Sequence, residues 1–388
     1  MRPRSRAKWM TAVPALMAAL LVMCGCTRGG EEAGTGSTRR ARVSAVWGVP
    51  GVSPGEFTTP RAIALGKVRG KLKAWVVDKS GRIQRIDAAS GRFEVWWRVP
   101  NCEAGKPTGL TIAPAPSDLG PGASAGTPVL YVAHTHDHKV LVYALDDAPA
   151  AATKSPPPTP SGVEEGGLTD EAAALFTPAR REVHPPVLAS WGSFGQGDGQ
   201  FIYPTDVAVL TAADGKTVER IYVGEYGDHD RISVFDAELK FLFSIGTYGA
   251  SASAERVQFD RPQGLEIDEA RRELVVVDSR NHRIGRFTLD GALIAWIGSP
   301  ETSGPGVEQW RYPWGLALPG DGTALVVEFG NNRLHRVELA TGRTLGTVGG
   351  AGRSEGLFAQ PWAVAVSEGT AFVVDAGNHR VQVVVGEE

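Results

Sequence analysis

The sequence predicts an all-β fold, a six-bladed β-propeller of four-stranded blades, closed by an N-terminal strand that completes the last blade. Three observations predict it. One pattern recurs six times, at a spacing of roughly 50 residues, the size of one four-stranded blade. The apolar runs within each copy are short and bounded by Gly, Pro, Asn and Asp, which suits strands rather than helices. The last copy stops one strand short at Glu388, and a spare strand, Arg42–Gly48 (RVSAVWG), precedes the first. That spare strand ends like the fourth strands of other copies, Ala189–Gly192 (ASWG) and Ala295–Gly298 (AWIG), so it is expected to pair into the sixth blade and leave no open sheet edge.

Each copy reads Gly, a short gap, an aromatic, Pro, an apolar strand, a second strand ending in an acid, an Asn/Gly turn, then Arg and a third strand. The fourth copy runs Phe259-Asp-Arg-Pro-Gln-Gly-Leu265, then LVVVD to Asp278, then SRNHR to Arg283. The sixth runs Phe358-Ala-Gln-Pro-Trp-Ala-Val364, then AFVVD to Asp375, then AGNHR to Arg380. The Pro marker falls at Pro60, Pro107, Pro204, Pro262, Pro313 and Pro361. The acid marker falls at Asp78, Glu225, Asp278, Glu328 and Asp375, with His134 in its place in the second copy. Proline lacks a donor and belongs just before an innermost strand. Asn and Gly accept the left-handed backbone of a tight turn. The acid suits the amides of that turn, or the Arg that follows.

DSRNHR, DAGNHR and EFGNNR, with the repeated WG ending, resemble NHL repeats over roughly residues 42–388. Copies four to six carry the resemblance. Copies one and two depart from it: Asp78–Arg82 (DKSGR) is one residue short, and His134–Lys139 (HTHDHK) lacks the acid and the Arg. The resemblance implies a propeller that binds a protein, glycan or other polymer on one face. It also admits enzymes: amidating lyases, lactonases of the gluconolactonase type and strictosidine-synthase-like proteins are similar propellers. The lyases place zinc-binding His directly after the marker Pro in three blades, and none of the six residues in that position here is His.

Residues 1–26 read as an export signal, with Arg2, Arg4, Arg6 and Lys8 before an apolar run from Met10 to Met23 that is short for a membrane span. It ends in LVMCGC, which resembles a bacterial lipobox; Cys26 is the favoured lipidation site and Cys24 the alternative. Residues 27–41 read as a flexible tether and 146–186, with SPPPTP, as a disordered insertion within the second blade, where Thr169–Phe176 suits one or two helical turns. Signal cleavage removes four cations and takes the formal charge from −3 to −7, which disfavours nucleic acid as a partner. Only Cys102 remains beyond the signal, which excludes a disulfide-built fold. The chain is expected to be an exported monomer that faces the periplasm or cell surface and touches the membrane through its lipid alone.

Residues directly after the marker prolines should face the central channel: Arg61, Thr108, Thr205, Gln263, Trp314 and Trp362. The acid-marker set, Asp78, His134, Glu225, Asp278, Glu328 and Asp375, should reach the same entrance, because the second strand runs antiparallel. Five carboxylates and one His around a funnel would suit a polar ligand or a cation, with calcium or zinc the metals to consider. The competing reading is that each acid organises its own turn; Glu225 and Glu328, with longer arms, are the stronger ligand candidates. Trp314 and Trp362 in adjacent blades suit a stacking platform or an apolar plug. Arg61, expected on the far side from them, suits a carboxylate or phosphate. His134, His136 and His138 have the alternation of a zinc site but straddle a turn, and His282 and His379 are expected to be structural. Neither a nucleophile elbow nor a phosphate loop is read from the sequence. The expected function is a cell-envelope binding or scaffold protein; the alternative is a metal-dependent lyase or lactonase, and a purely architectural role is a third.

Overall fold

The computed structural model describes residues 41–103, 106–145 and 182–386. Cys24, Cys26, the export signal, almost all of the tether and most of the 146–186 insertion, including Thr169–Phe176, lie outside the described residues.

Six four-stranded antiparallel sheets follow one another around a ring. Their innermost strands are Pro60–Val68, Gly109–Pro114, Tyr203–Thr211, Pro262–Asp268, Pro313–Ala317 and Ala363–Ser367, in blades one to six. The first five blades are built from consecutive strands. In blade six the outermost strand is Ala41–Trp47, which pairs antiparallel with Arg380–Gly386. Ring closure by the N-terminal strand is therefore as expected.

The core is not one mass but six, one between each pair of neighbouring blades. Trp75 and Val77 pack toward Leu130 and Leu141 of blade two, while Ala74 and Val76 of the same strand pack toward Phe372 and Val383 of blade six. Val276 packs toward Tyr222 of blade three, and Val275 and Val277 toward Leu316 and Val326 of blade five. Strand alternation thus feeds both interfaces of a blade at once, which is why these strands are apolar on both faces.

The WG endings also have a packing cause. Gly192 and Gly298 take φ of +96° and +87°, and a Cβ would stand 2.5 Å from the ring of Phe201 and 2.6 Å from that of Trp310. The aromatic ahead of every marker Pro except Pro107 thus lies on a glycine that ends the preceding blade.

Because every interface is shared, removing the closing strand exposes both a sheet edge and the blade six–blade one cluster. Deletion of residues 41–47 is expected to lower the melting temperature by more than ~10 °C and to promote aggregation. Calorimetry and light scattering check this; an unchanged melting temperature would show that the strand does not close the ring.

Candidate functional site

The marker prolines and acids do lie at one end of the ring, in register across the first two strands: Pro60 opposite Asp78, Pro204 opposite Glu225, Pro262 opposite Asp278 and Pro313 opposite Glu328. The acids, however, do not line the channel. All five have no exposed surface. Asp278 accepts hydrogen bonds from the Asp260 backbone N–H (2.8 Å), Asn281 (2.8 Å) and Arg283 Nε (2.8 Å). Asp375 accepts from Ala359 N, Asn378, Arg380 and Gln382. Glu328 holds Arg311 N, Asn331, Arg333 and His335, and Glu225 holds Ile202 N and Arg231. Asp78 holds Thr58 N, Ser80 and Arg82. Each guanidinium then reaches the loop that enters its blade: Arg283 donates to Ser251 O and Gln258 O, Arg380 to Ser354 O and Leu357 O. The expected ring of ligand-binding acids is corrected to a set of loop anchors, Glu225 and Glu328 included, because their lone pairs are taken by donors of their own blade.

His134, in the acid position of blade two, is also fully buried, and its ring makes no hydrogen bond to another side chain among the described residues. Burial holds its pKa below the usual histidine value, so it is neutral and apolar in character. His282 Nδ1 accepts the Tyr312 N–H and His379 Nδ1 the Thr59 N–H, both 3.0 Å. Asn332 does the same for Gln360 N, and Asp230 for Arg261 N. The four donors are the left-handed residues just before marker prolines, with φ of 48–67°. The histidines of the NHR turns are thus latches between blades.

Of the residues after the prolines, Arg61, Thr108, Gln263, Trp314 and Trp362 line a channel cavity of about 220 Å³. Thr205 instead hydrogen-bonds to Pro262 O in the wall. Trp314 and Trp362 meet edge to face, with centroids 4.9 Å apart at 64°, and Phe329 packs against both. They do not form a flat platform. Arg61 is not on the far side from them, because ring closure makes blades one and six neighbours: its guanidinium lies 5.0 Å from the Trp362 ring centre. Arg261, which sequence reasoning passed over, lies 5.6 Å over Trp314 and 4.4 Å over Tyr226. Gln263 is 8 % exposed, and its amide makes no hydrogen bond with the described residues.

Deeper in the channel stand two carboxyl groups that sequence reasoning also missed, Asp206 and Glu266. Asp206 accepts the Leu265 N–H at 3.1 Å. Desolvation pushes its pKa up to about 7. Desolvation, and then the neighbouring Asp206, push Glu266 up to about 8. The aligned copies contain the signal. Two residues after the marker Pro stand Ala62, Gly109, Asp206, Gly264, Gly315 and Ala363; four after it stand Ala64, Thr111, Ala208, Glu266, Ala317 and Ala365. One acid breaks each column of small residues.

Among the described residues no three His, Cys, Asp or Glu side chains gather as a metal-ligand set. His136 takes the Lys106 N–H and packs on Tyr203, while His134 is buried inside its blade, so the HxHxH run does not converge on one point. Of the donors expected to hold calcium or zinc, the five carboxylates are engaged in the loop anchors and His134 is buried within its blade. Cys102 is partly buried against the blade one–blade two cluster. Gly-x-Ser-x-Gly spacings occur three times, at Gly51–Gly55, Gly122–Gly126 and Gly352–Gly356, but each lies in a connection that leads to a strand, not at a strand-to-helix elbow.

Residues 259–287 and 358–384 match the family described as NHL repeat. No curated protein matches the chain. Among solved structures, the chain is 14 % identical to a protein of unknown function from Bacteroides thetaiotaomicron, covering 90 % of this chain and 76 % of that one at a TM-score of 0.56. It is 14 % identical to a streptogramin B lyase, covering 88 % and 97 % at 0.50, and 14 % identical to a virginiamycin B lyase from Staphylococcus aureus, covering 84 % and 95 % at 0.47. At these identities the likeness is one of fold. No helix among the described residues is long and apolar enough to cross a membrane.

The channel acids make stability fall with pH. With folded pKa values near 7 and 8 against an ordinary value near ~4, the native state holds protons that the unfolded chain releases between those limits. Asp206→Asn and Glu266→Gln are therefore expected to raise the melting temperature at pH 8.5 by at least ~3 °C, and to change it little at pH 4. Scanning calorimetry at both pH values checks this; an equal effect at both would show that the carboxyls are not held neutral.

Proposed function

We propose that the protein is a cell-envelope binding module that takes a polar ligand in the mouth of its central channel. The observation that carries this is the wall of the mouth: Arg61, Gln263, Trp314 and Trp362 converge on one cavity, and neither Gln263 nor Arg61 has a hydrogen-bond partner among the described residues for its side chain. Polar groups so enclosed are normally satisfied, and a ligand that satisfies them gains affinity and selectivity together. The surrounding face supports recognition. Of the large apolar side chains left exposed, Val49, Val52, Phe194, Tyr248, Val307 and Tyr312 lie on connections between blades that lead to the mouth. The signal-like N-terminus and the lipobox-like LVMCGC support an envelope location, with a tether through Cys26 or Cys24.

A second reading, an enzyme of the lyase or lactonase class, draws its support from Asp206 and Glu266. Two proton-holding carboxyls in a channel suit general acid or base chemistry.

Two measurements test the proposal. Sugars, amino acids, short peptides and carboxylic acids are titrated against the protein while its melting temperature is followed. A true ligand at saturating concentration is expected to raise it by ~3–8 °C in wild type and not in Trp362→Ala. Equal stabilisation of both would place binding elsewhere, and ligand turnover abolished by Asp206→Asn would favour the enzyme. In cells, radiolabelled palmitate is expected to enter the full chain and to be lost from the double variant Cys24→Ala/Cys26→Ala; no labelling of the parent would remove the lipid anchor from the account.

A further inference from the structure

We propose that Arg61 and Arg261 form a two-armed clamp for the carboxylate or phosphate group of a small ligand entering the channel mouth. The inference rests on the binding reading above and names the chemistry of its ligand.

The argument begins with how this chain treats arginine. Among the described residues ten arginines are not exposed, and eight of them pair with a carboxylate: Arg82, Arg85, Arg220, Arg231, Arg283, Arg286, Arg333 and Arg380. Arg61 and Arg261 are the two exceptions. Each has its Nε shielded from solvent and without a hydrogen-bond partner. The carboxylate of Asp230 accepts the Arg261 backbone N–H rather than its guanidinium.

The two cations also act on each other. Burial lowers the Arg61 pKa, Tyr226 opposes that shift, and the charge of Arg261 adds to it. Unneutralised like charges at a partly desolvated site are costly, and an anion between them removes that cost. Guanidinium is the group suited to this, since its fork matches carboxylate and phosphate geometry and it tolerates partial dehydration. The aromatic rings hold the arms in place. Trp362 lies under Arg61, and Trp314 and Tyr226 lie under Arg261. That explains why tryptophan stands directly after two of the marker prolines: the rings orient cations rather than presenting open faces. The Trp314 Nε1–H, shielded and unpartnered in a side chain 8 % exposed, and the Gln263 amide add donors beside the clamp. A cavity of about 220 Å³ limits the ligand to about one ring beyond its anionic group.

Calorimetric titration of the protein produced from the full chain tests the clamp with four probes: benzoate, phenyl phosphate, inorganic phosphate and benzamide, the neutral counterpart of benzoate. The expected result is that benzoate or phenyl phosphate binds at least tenfold more tightly than benzamide, and that Arg61→Gln and Arg261→Gln each weaken it at least tenfold. Exposed Arg353→Gln should have no effect, and circular dichroism should show all three variants folded. Tighter binding of benzoate than of either phosphate identifies a carboxylate ligand; the reverse identifies a phosphate. Benzamide binding as well as benzoate overturns the clamp but leaves the mouth as a ligand site. Anion binding that survives both clamp variants overturns it by placing the anion elsewhere. No binding of any probe at millimolar concentration overturns it, and if ligand-dependent stabilisation is also absent the mouth reading fails as well.

Discussion

A carboxylate without exposed surface, bound to a guanidinium four to six positions further on in its own blade, is the interaction on which the mouth face depends. In blades one and three to six it fixes the turn after the second strand and, through the second edge of the guanidinium, the loop arriving from the previous blade. Breaking one partner of such a pair leaves a buried charge and costs about 3–5 kcal/mol. Its strength comes from satisfaction as much as charge: Arg283 alone reaches Asp278 and the carbonyls of Ala250, Ser251 and Gln258, with Trp296 beneath it. Blade two lacks the pair, and there a neutral His134 fills the space.

Those anchors give the channel mouth its rigidity. They hold the inter-blade loops, and the latches from His379, Asp230, His282 and Asn332 hold the left-handed residues just ahead of the innermost strands. Arg261 is one of those residues, and Arg61 follows the proline after another. Side chains displayed from so constrained a backbone need little reorganisation to meet a ligand, which is the condition for preorganised recognition. Among the described residues the other shielded arginines are neutralised, and two are left uncompensated beside the channel mouth, Arg61 in the cavity wall and Arg261 over Trp314 of that wall.

Nearly all of the fold was legible in the sequence, since its markers are backbone constraints: Pro60 and its counterparts, the WG glycines, the Asn/Gly turns and the spare strand ending at Trp47 and Gly48 each admit few conformations. The site was legible only in part. Arg61, Gln263, Trp314 and Trp362 followed from position relative to proline. The acids were misassigned because register gives the end of the ring they occupy but not the direction their oxygens face, which the Arg and Asn donors decide. Arg61 was placed opposite the tryptophans because closure, which seats blade one beside blade six, had not been carried through to side chains. Arg261 occupies a column of varied residues, Thr59, Lys106, Tyr203, Tyr312 and Gln360, where nothing marks it out. Asp206 and Glu266 stand in columns otherwise made of glycine, alanine and one threonine, so their signal lies in the exceptions to the repeat rather than in its shared residues.

The central claim is that the two uncompensated guanidiniums receive an anion together. Proton–nitrogen correlation spectra of the arginine Nε–H groups during a benzoate titration test it most directly, with Arg61→Lys and Arg261→Lys assigning the two signals. The account predicts that both Nε–H resonances move along one saturating curve, while that of Arg283, already bonded to Asp278, stays in place. Shifts confined to exposed arginines such as Arg311 and Arg353, with Arg61 and Arg261 unmoved, would contradict it.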